Sequence, residues 1–343
     1  MAKGLSVIVC CYNSAERLPM TLQHLARQKV SPDVRWEVIL VNNASKDNTT
    51  EVAQETWNAF GSPVPFQIVD ELIPGLSHAR DKGFSNAQYE YLLLCDDDNW
   101  LHEDYVQLSY ALMESNETIG VLGGCGIPEL EDSAPGWFWE FADFYATGPQ
   151  APQSGEVHRR FVYGAGAVFR KSVVNYLKVN GFKSMLRDRT GEQLSSSGDI
   201  ELCYAISLAG YRIWYESQLL FQHFIPLSRS QEDYFLRLNA GIGYASSLLI
   251  PYQLKLFNPD LPRYKYSFAW IFAIRLYMLM RFRLLSFVGA SWFSSNPCAR
   301  GRVIFLKDLH ELRGLWGHKK GYPKILKQLA RAAWLAPAYR ANE

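Results

Sequence analysis

Three consecutive carboxylates, Asp96, Asp97 and Asp98, follow the strand-like run Tyr91-Leu92-Leu93-Leu94-Cys95. Like charges at the end of a buried strand repel one another and lose hydration, a cost that a cation between them offsets. A hard divalent ion, Mg²⁺ or Mn²⁺, suits an all-oxygen cluster, and such ions keep water ligands and take up phosphate oxygens as well. The plain alternative is a solvated acidic loop after a strand.

The elements that must position this cluster are legible as periodicities. Residues 5–11 form a continuous apolar run, the mark of a strand covered on both faces. Ser14 stands where it can cap a helix carrying Leu18, Leu22 and Leu25. A second buried strand is expected at 36–41, and Ser45 then opens a helix with Val52, Ala53, Thr56, Trp57 and Phe60 on one stripe. Strands at 66–69, 91–95 and 119–123 alternate with helices at 77–88 and 104–115. This alternation through residue 125 implies a mostly parallel sheet between two helical layers. Ligands of such sheets bind at the carboxyl ends of the strands. Residues 11–14, 42–47 and 96–99 all follow strand ends and should meet at one crevice.

Composition sets the frame. The chain has 343 residues, 48% of them apolar, which indicates a folding sequence with room for a large domain and an appendage. Its net charge of +1 hides an asymmetry: from Lys255 onward 16 Lys/Arg face 4 Asp/Glu, and the preceding residues carry 19 against 30. A basic tail on an acidic body points to a polyanionic surface, lipid or nucleic acid. The six cysteines include no C-x-x-C pair, and no signal peptide is read at the start, so the expected compartment is the reduced cytosol. Residues 128–158 are rich in aromatics, Trp137 among them, and are broken by Pro and Gly; they read as a binding loop or as a local aromatic core cluster. Residues 267–293 are apolar and aromatic but are interrupted by Arg275, Arg281 and Arg283. They suit a helix lying in a membrane interface, or one packed on the protein, better than a spanning helix.

Four motifs, in order, carry a resemblance to inverting glycosyltransferases of family 2, whose fold is of the GT-A nucleotide-diphospho-sugar transferase type. The first is Ser6-Val7-Ile8-Val9-Cys10-Cys11-Tyr12-Asn13 with Glu16 beyond it; the resemblance implies that Tyr12, Asn13 and Glu16 serve the nucleobase and ribose. The second is Val41-Asn42-Asn43-Ala44-Ser45-Lys46-Asp47, where Asn42 and Asn43 stand in place of the family's base-reading Asp. The third is Gly75-Leu76-Ser77-His78-Ala79-Arg80-Asp81-Lys82-Gly83, with Arg80 beside the nucleotide and Asp81 in place of the usual Asn. The fourth is the acidic run, matching the Asp-x-Asp signature. It implies Asp98, with Asp96, on the metal, and Asp96 and Asp97 toward the nucleotide.

Further along, the segment from Phe161 to Arg170 is similar to the family's sugar and acceptor strand, implying roles for Gly164, Ala165 and Gly166, with Trp137 of the aromatic insertion as an acceptor contact. Ser197-Gly198-Asp199-Ile200-Glu201-Leu202 matches the base motif, so Asp199 is the expected catalytic base and Glu201 a structural acid. His223 is a third metal candidate, and Arg229 a candidate for the diphosphate.

The expectation is a GT-A-type three-layer α/β/α sandwich with a mostly parallel central sheet. Residues 1–230 would form the catalytic domain and residues 231–343 a basic, helical, aromatic-rich C-terminal extension. The implied reaction is Mn²⁺- or Mg²⁺-dependent, inverting transfer from a nucleotide-sugar donor, with UDP-sugar expected. The implied acceptor is a hydroxyl of a glycan or lipid-linked glycan, in polysaccharide biosynthesis, with no nucleic acid partner. The expected location is peripheral, on an anionic surface at the cytoplasmic face of the inner membrane. A sugar-nucleotide pyrophosphorylase-like enzyme and a catalytically inactive membrane-associated binding protein are the alternatives.

Overall fold

The computed structural model describes residues 2–186, 197–293 and 296–337. Its first half alternates strand and helix: β1 (Ala2–Cys11), α1 (Leu18–Ala26), β2 (Trp36–Asn43), α2 (Thr49–Ala59), β3 (Phe66–Glu71), α3 (Leu76–Asn86), β4 (Tyr89–Asp96), β5 (Asn99–Leu101), α4 (Tyr105–Ser115) and β6 (Ile119–Leu130). There follow β7 (Gly155–Glu156), β8 (Val168–Arg170), α5 (Lys171–Val179), α6 (Gly198–Leu208) and β9 (Arg212–Ile225). The C-terminal helices are α7 (Glu232–Phe257), α8 (Phe268–Met278), α9 (Leu284–Phe293), α10 (Arg300–His318) and α11 (Tyr322–Ala330).

The strands form one sheet in the order β3-β2-β1-β4-β8-β6-β9-β5, with β7 beside β9. The long pairings, β1 with β2 and β4, β2 with β3, and β6 with β9, are parallel. The short strands β5, β7 and β8 pair antiparallel. Along β1 the side chains alternate: Leu5, Val7 and Val9 enter one core and Ile8 the other, as the period of two requires. Residues of α1, α2 and α4 cover the first core; those of α3, α5, α6 and α7 cover the second. The result is the expected three-layer sandwich.

Two expectations are corrected by tertiary packing. Strand β6 does not stop at Gly123 but runs on to Leu130, because β9 offers it a long parallel partner. The aromatic insertion is divided: Trp137, Phe138 and Phe141 are buried against Phe235 of α7, with the Trp137 ring 4.8 Å from that of Phe235. The C-terminal helices are built onto this body. Asn239 Nδ2 donates to the Val303 carbonyl at 2.9 Å, and a Cβ at Gly243 would sit 2.3 Å from the Lys307 carbonyl oxygen, so glycine lets α7 and α10 approach this closely.

Candidate active site

The turn after β1 is knitted to the turn after β2. Asn13 adopts a left-handed φ of 49°, and its N–H donates to Ser45 Oγ at 3.0 Å. Its Oδ1 accepts from the Lys46 N–H at 2.8 Å. Tyr12 next to it is 45% exposed and lines a cavity of about 880 Å³ at the carboxyl ends of the strands. Asn43 also lines the cavity, but its amide is committed: Oδ1 accepts from Gly75 N–H at 2.8 Å, and Nδ2 donates to the carbonyls of Glu71 and Ile73. It thereby pins the loop that launches α3, which carries Arg80 to the same cavity. Asn42 donates to Asp70 Oδ1 at 3.0 Å and is absent from the lining, and Glu16 is exposed away from it. The structure does not bring Asn42 and Glu16 to the site.

The three aspartates differ in their company. Asp96 lines the cavity at the end of β4. Asp97 is a latch to α1: Ser14 Oγ donates to its Oδ2, Arg17 pairs with the same oxygen at 2.7 Å, and Thr21 Oγ1 donates to its carbonyl at 2.8 Å. Ser14, expected as a helix cap, is thus used on the carboxylate instead. Burial, with the Asp98 charge next to it, pushes the Asp97 carboxyl above the ordinary carboxylate range. Asp98 goes the other way. Burial would raise it, but His223 Nε2 at 3.5 Å and Arg229 at 2.6 Å outweigh that and hold its carboxyl well below the usual range. Asn99 Nδ2 adds a bond to its Oδ1 at 3.2 Å.

On the wall that Asp199 forms, Gly164 N–H donates to its Oδ2 at 2.7 Å, and Ile200 N–H donates to Oδ1 at 2.9 Å. Asp199 sits in the first turn of α6, where the helix N-terminus favours a carboxylate. A Cβ on Gly164 would come within 3.1 Å of the Asp199 carboxylate, so glycine admits this contact. Ala165 lines the cavity; Gly166 lies behind it, its carbonyl accepting from the Tyr105 hydroxyl at 2.7 Å. Trp137 belongs to the aromatic core described above and does not reach the cavity; Asp143, Phe144 and Tyr145 of the same insertion do.

Other groups on this wall escaped the sequence reading. Arg159 lays its guanidinium over Phe161 at 4.4 Å and Tyr163 at 4.8 Å, and bonds Gln150 Oε1 at 2.9 Å. Burial pushes the Asp143 carboxyl and the Tyr163 phenol up. Tyr234 from α7 and Lys307 from α10 complete the lining. Tyr163 lies in the Phe161–Arg170 segment that the sequence marks; Arg159, Tyr234 and Lys307 have no motif around them and arrive by tertiary placement. Glu201 is buried as a structural acid, accepting from Ser184 Oγ at 2.6 Å, from the Met185 and Leu186 N–H groups, and from the Tyr252 hydroxyl at 2.9 Å.

Residues 6–177, half of the chain, match the family described as Glycosyl transferase family 2. The protein belongs to glycosyl transferase family 2. Among relatives, the family 2 chain is 32% identical over 106 residues to the cholesterol galactosyltransferase of Borreliella burgdorferi, covering 31% of this chain and 28% of that protein. It is 28% identical over 123 residues to the poly-beta-1,6-N-acetyl-D-glucosamine synthase of Staphylococcus epidermidis, covering 36% of this chain and 28% of that one. The matched stretch thus spans little more than a quarter of these curated relatives. Among solved structures, the mannosyltransferase of Pyrobaculum calidifontis, in complex with GDP-Man and Mn²⁺, superposes with a TM-score of 0.56 at 17% identity, covering 93% of this chain and 88% of that chain. At that identity the likeness is one of fold.

The residues of this family 2 site fit a divalent cation. Asp98 offers carboxylate oxygens beside the His223 imidazole, Asp96 opens onto the same cavity, and His223 Nδ1 is buried without a hydrogen-bond partner. Among the described residues no three His, Cys, Asp or Glu side chains form a closed cage. A cation here would take its remaining ligands from phosphate and water, as Mg²⁺ and Mn²⁺ do. It would also compete with Arg229 for Asp98.

Proposed function

We propose that the protein transfers a sugar from a nucleoside-diphosphate donor to a hydroxyl of a glycan or lipid-linked glycan, inverting the anomeric centre, in polysaccharide biosynthesis. The observation that carries this reading is that two carboxylate sites share one cavity: the Asp96–Asp98 loop and Asp199 both line it. Family membership and the synthase relatives support the reaction class. UDP-sugar remains the expected donor, with Tyr12 as the stacking face.

In the proposed single displacement, Asp199 accepts the proton of the attacking hydroxyl, its oxygens aimed by the Gly164 and Ile200 N–H groups. Tyr12 and the turn around Asn13 hold the base end, and Arg80 lies toward the phosphates. Asp98, His223 and Asp96 would hold Mn²⁺ or Mg²⁺, which supplies neutralisation of the charge growing on the departing diphosphate. Arg229, paired with Asp98 here, would be free to take up a phosphate oxygen once a cation replaced it at Asp98.

The test has two parts. In a thermal-shift panel of nucleotide sugars with Mn²⁺, one donor should raise the melting temperature in a metal-dependent way. With that donor, Asp199→Asn should keep binding and lose turnover. Turnover at the wild-type rate in that variant would remove the assigned base.

A further inference from the structure

The helical run from Phe268 to Phe293 has two unlike faces. Its segments α8, the π-turn Leu279–Arg283 and α9 follow one another without a break. The inner face repeats every four residues: Ile271 and Leu279 are buried in a cluster with Ile250, Leu312 and Tyr322. Arg275 and Arg283, on the same face, pair with Glu311 at 3.2 Å and Asp308 at 2.8 Å on α10. Two of the three arginines that interrupt this run in the sequence are therefore turned inward and partnered.

The outer face is a different surface. Trp270, Ile274, Tyr277, Leu285 and Val288 fall at helical spacing and are 42%, 45%, 58%, 67% and 41% exposed. Arg281 is the basic residue within this stripe. Cations flank it: Lys265 Nζ lies 6.0 Å from the Trp270 ring, and Lys319 Nζ stands 3.8 Å over Trp316, itself 55% exposed. An apolar stripe of this length, about 27 Å from Trp270 to Val288 at 1.5 Å per residue, is far larger than scattered surface hydrophobes. No helix among the described residues is long and apolar enough to cross a membrane, and the inner face is already spent on α10.

We propose that this outer face docks in the headgroup region of an anionic bilayer. The stripe supplies area to bury at the acyl boundary, Trp270 and Tyr277 suit the interface depth, and the flanking cations suit acidic lipid. Charge decides against self-pairing: the region from Lys255 onward carries a net +12, so two copies meeting here bring like charges together, whereas an anionic surface neutralises them. Helix α10 links this face to the cavity, since it holds the inner arginines and also carries Lys307 into the lining. This proposal deepens the glycosyl-transfer reading but does not need turnover for its test.

The test is flotation of the full chain with phosphatidylcholine vesicles, with and without phosphatidylglycerol. The wild type should float with the anionic vesicles at low salt, about tenfold more than with the neutral ones, and release as salt rises. Leu285→Glu combined with Ile274→Glu should lose flotation while keeping its circular dichroism and melting temperature; Leu285→Glu alone, at the most exposed position, should weaken it in the same direction. Asp199→Asn should float as the wild type does, which separates docking from catalysis. A wild type that never floats, a Leu285→Glu protein that floats unchanged, or a wild-type dimer that Leu285→Glu turns into a monomer without vesicle binding would each overturn the proposal.

Discussion

The two sets of carboxylates that line the cavity are held in different ways. The donor wall is a set of carboxylates neutralised in advance: Asp97 by Arg17 and Ser14, Asp98 by Arg229, His223 and Asn99. The acceptor wall places its carboxylate, Asp199, on two backbone N–H groups at a helix start, with aromatic rings around it. The difference is chemical. A carboxylate whose affinity for protons is held down by a guanidinium and an imidazole is a poor base and a good cation ligand. A carboxylate aimed by fixed amides toward a space lined by Tyr163 and Phe144 is placed to receive a proton from a hydroxyl there.

The comparison breaks most readily at Asp199. Asp199→Asn should lower turnover by about 10²- to 10⁴-fold, the range for loss of a general base, with the donor-induced thermal shift intact. Asp98→Asn should instead abolish the metal dependence of that shift. If both variants fail in the same way, the walls do not divide the labour as argued. Next in size is Arg229→Gln. Breaking a buried ion pair leaves an uncompensated charge, so the variant should lose about 3 kcal/mol in urea unfolding. Because the uncompensated group is a cation ligand, Mn²⁺ should restore more stability to Arg229→Gln than it adds to the wild type. An equal gain in both proteins would mean that the ion does not seat at Asp98.

These walls were unequally legible in the sequence. Apolar runs and strand-end polar clusters revealed the first five parallel-sheet elements and placed Tyr12, Asn13, Asn43 and Asp96–Asp98 on one crevice, because strand ends of a parallel sheet converge whatever the loops do. What escaped was the pairing. That Asp97 would spend itself on Arg17, or Asn43 on Gly75, depends on where side chains land after packing, and no spacing rule encodes it. Trp137 shows the same limit: an exposed binding tryptophan and a buried one look alike in a segment without period, and Phe235, about a hundred residues later, decides between them. Lys307, Tyr234 and Arg159 come from segments with no motif at all. The C-terminal helices supply part of the acceptor wall and are not a mere appendage to it.

Glu201 sharpens the acceptor side, since it ties Ser184–Leu186 and Tyr252 to the helix that carries Asp199. Burial raises its carboxyl above its ordinary 4.5, despite the four donors around it. A raised acid binds its proton more tightly folded than unfolded. Its contribution is therefore fully present below pH 4.5 and lost as pH rises through the folded-state value. Glu201→Gln should flatten the pH dependence of the urea midpoint across that window. It should also cost about 1 to 3 kcal/mol, because an amide NH₂ meets N–H and O–H donors where an oxygen stood. An unchanged pH profile would show that Glu201 does not set it.

The smallest expected effect tests what the donor wall reads. Tyr12 is nearly half exposed and its hydroxyl has no hydrogen-bond partner among the described residues, so Tyr12→Ala should leave the melting temperature of the free protein within experimental error. If its ring stacks on the base, the change should weaken nucleoside-diphosphate binding by about 1 to 2 kcal/mol, roughly tenfold, in calorimetry with Mn²⁺. Stacking addresses the π-face that every base has, whereas Asn43, with its amide committed to Gly75, Glu71 and Ile73, has little left for an edge. Tyr12→Ala should therefore weaken UDP and GDP by similar factors. A loss confined to one of them would mean that this wall reads the edge of the base through a group other than Tyr12, and that the pinned turn at Asn43 opens when the donor binds.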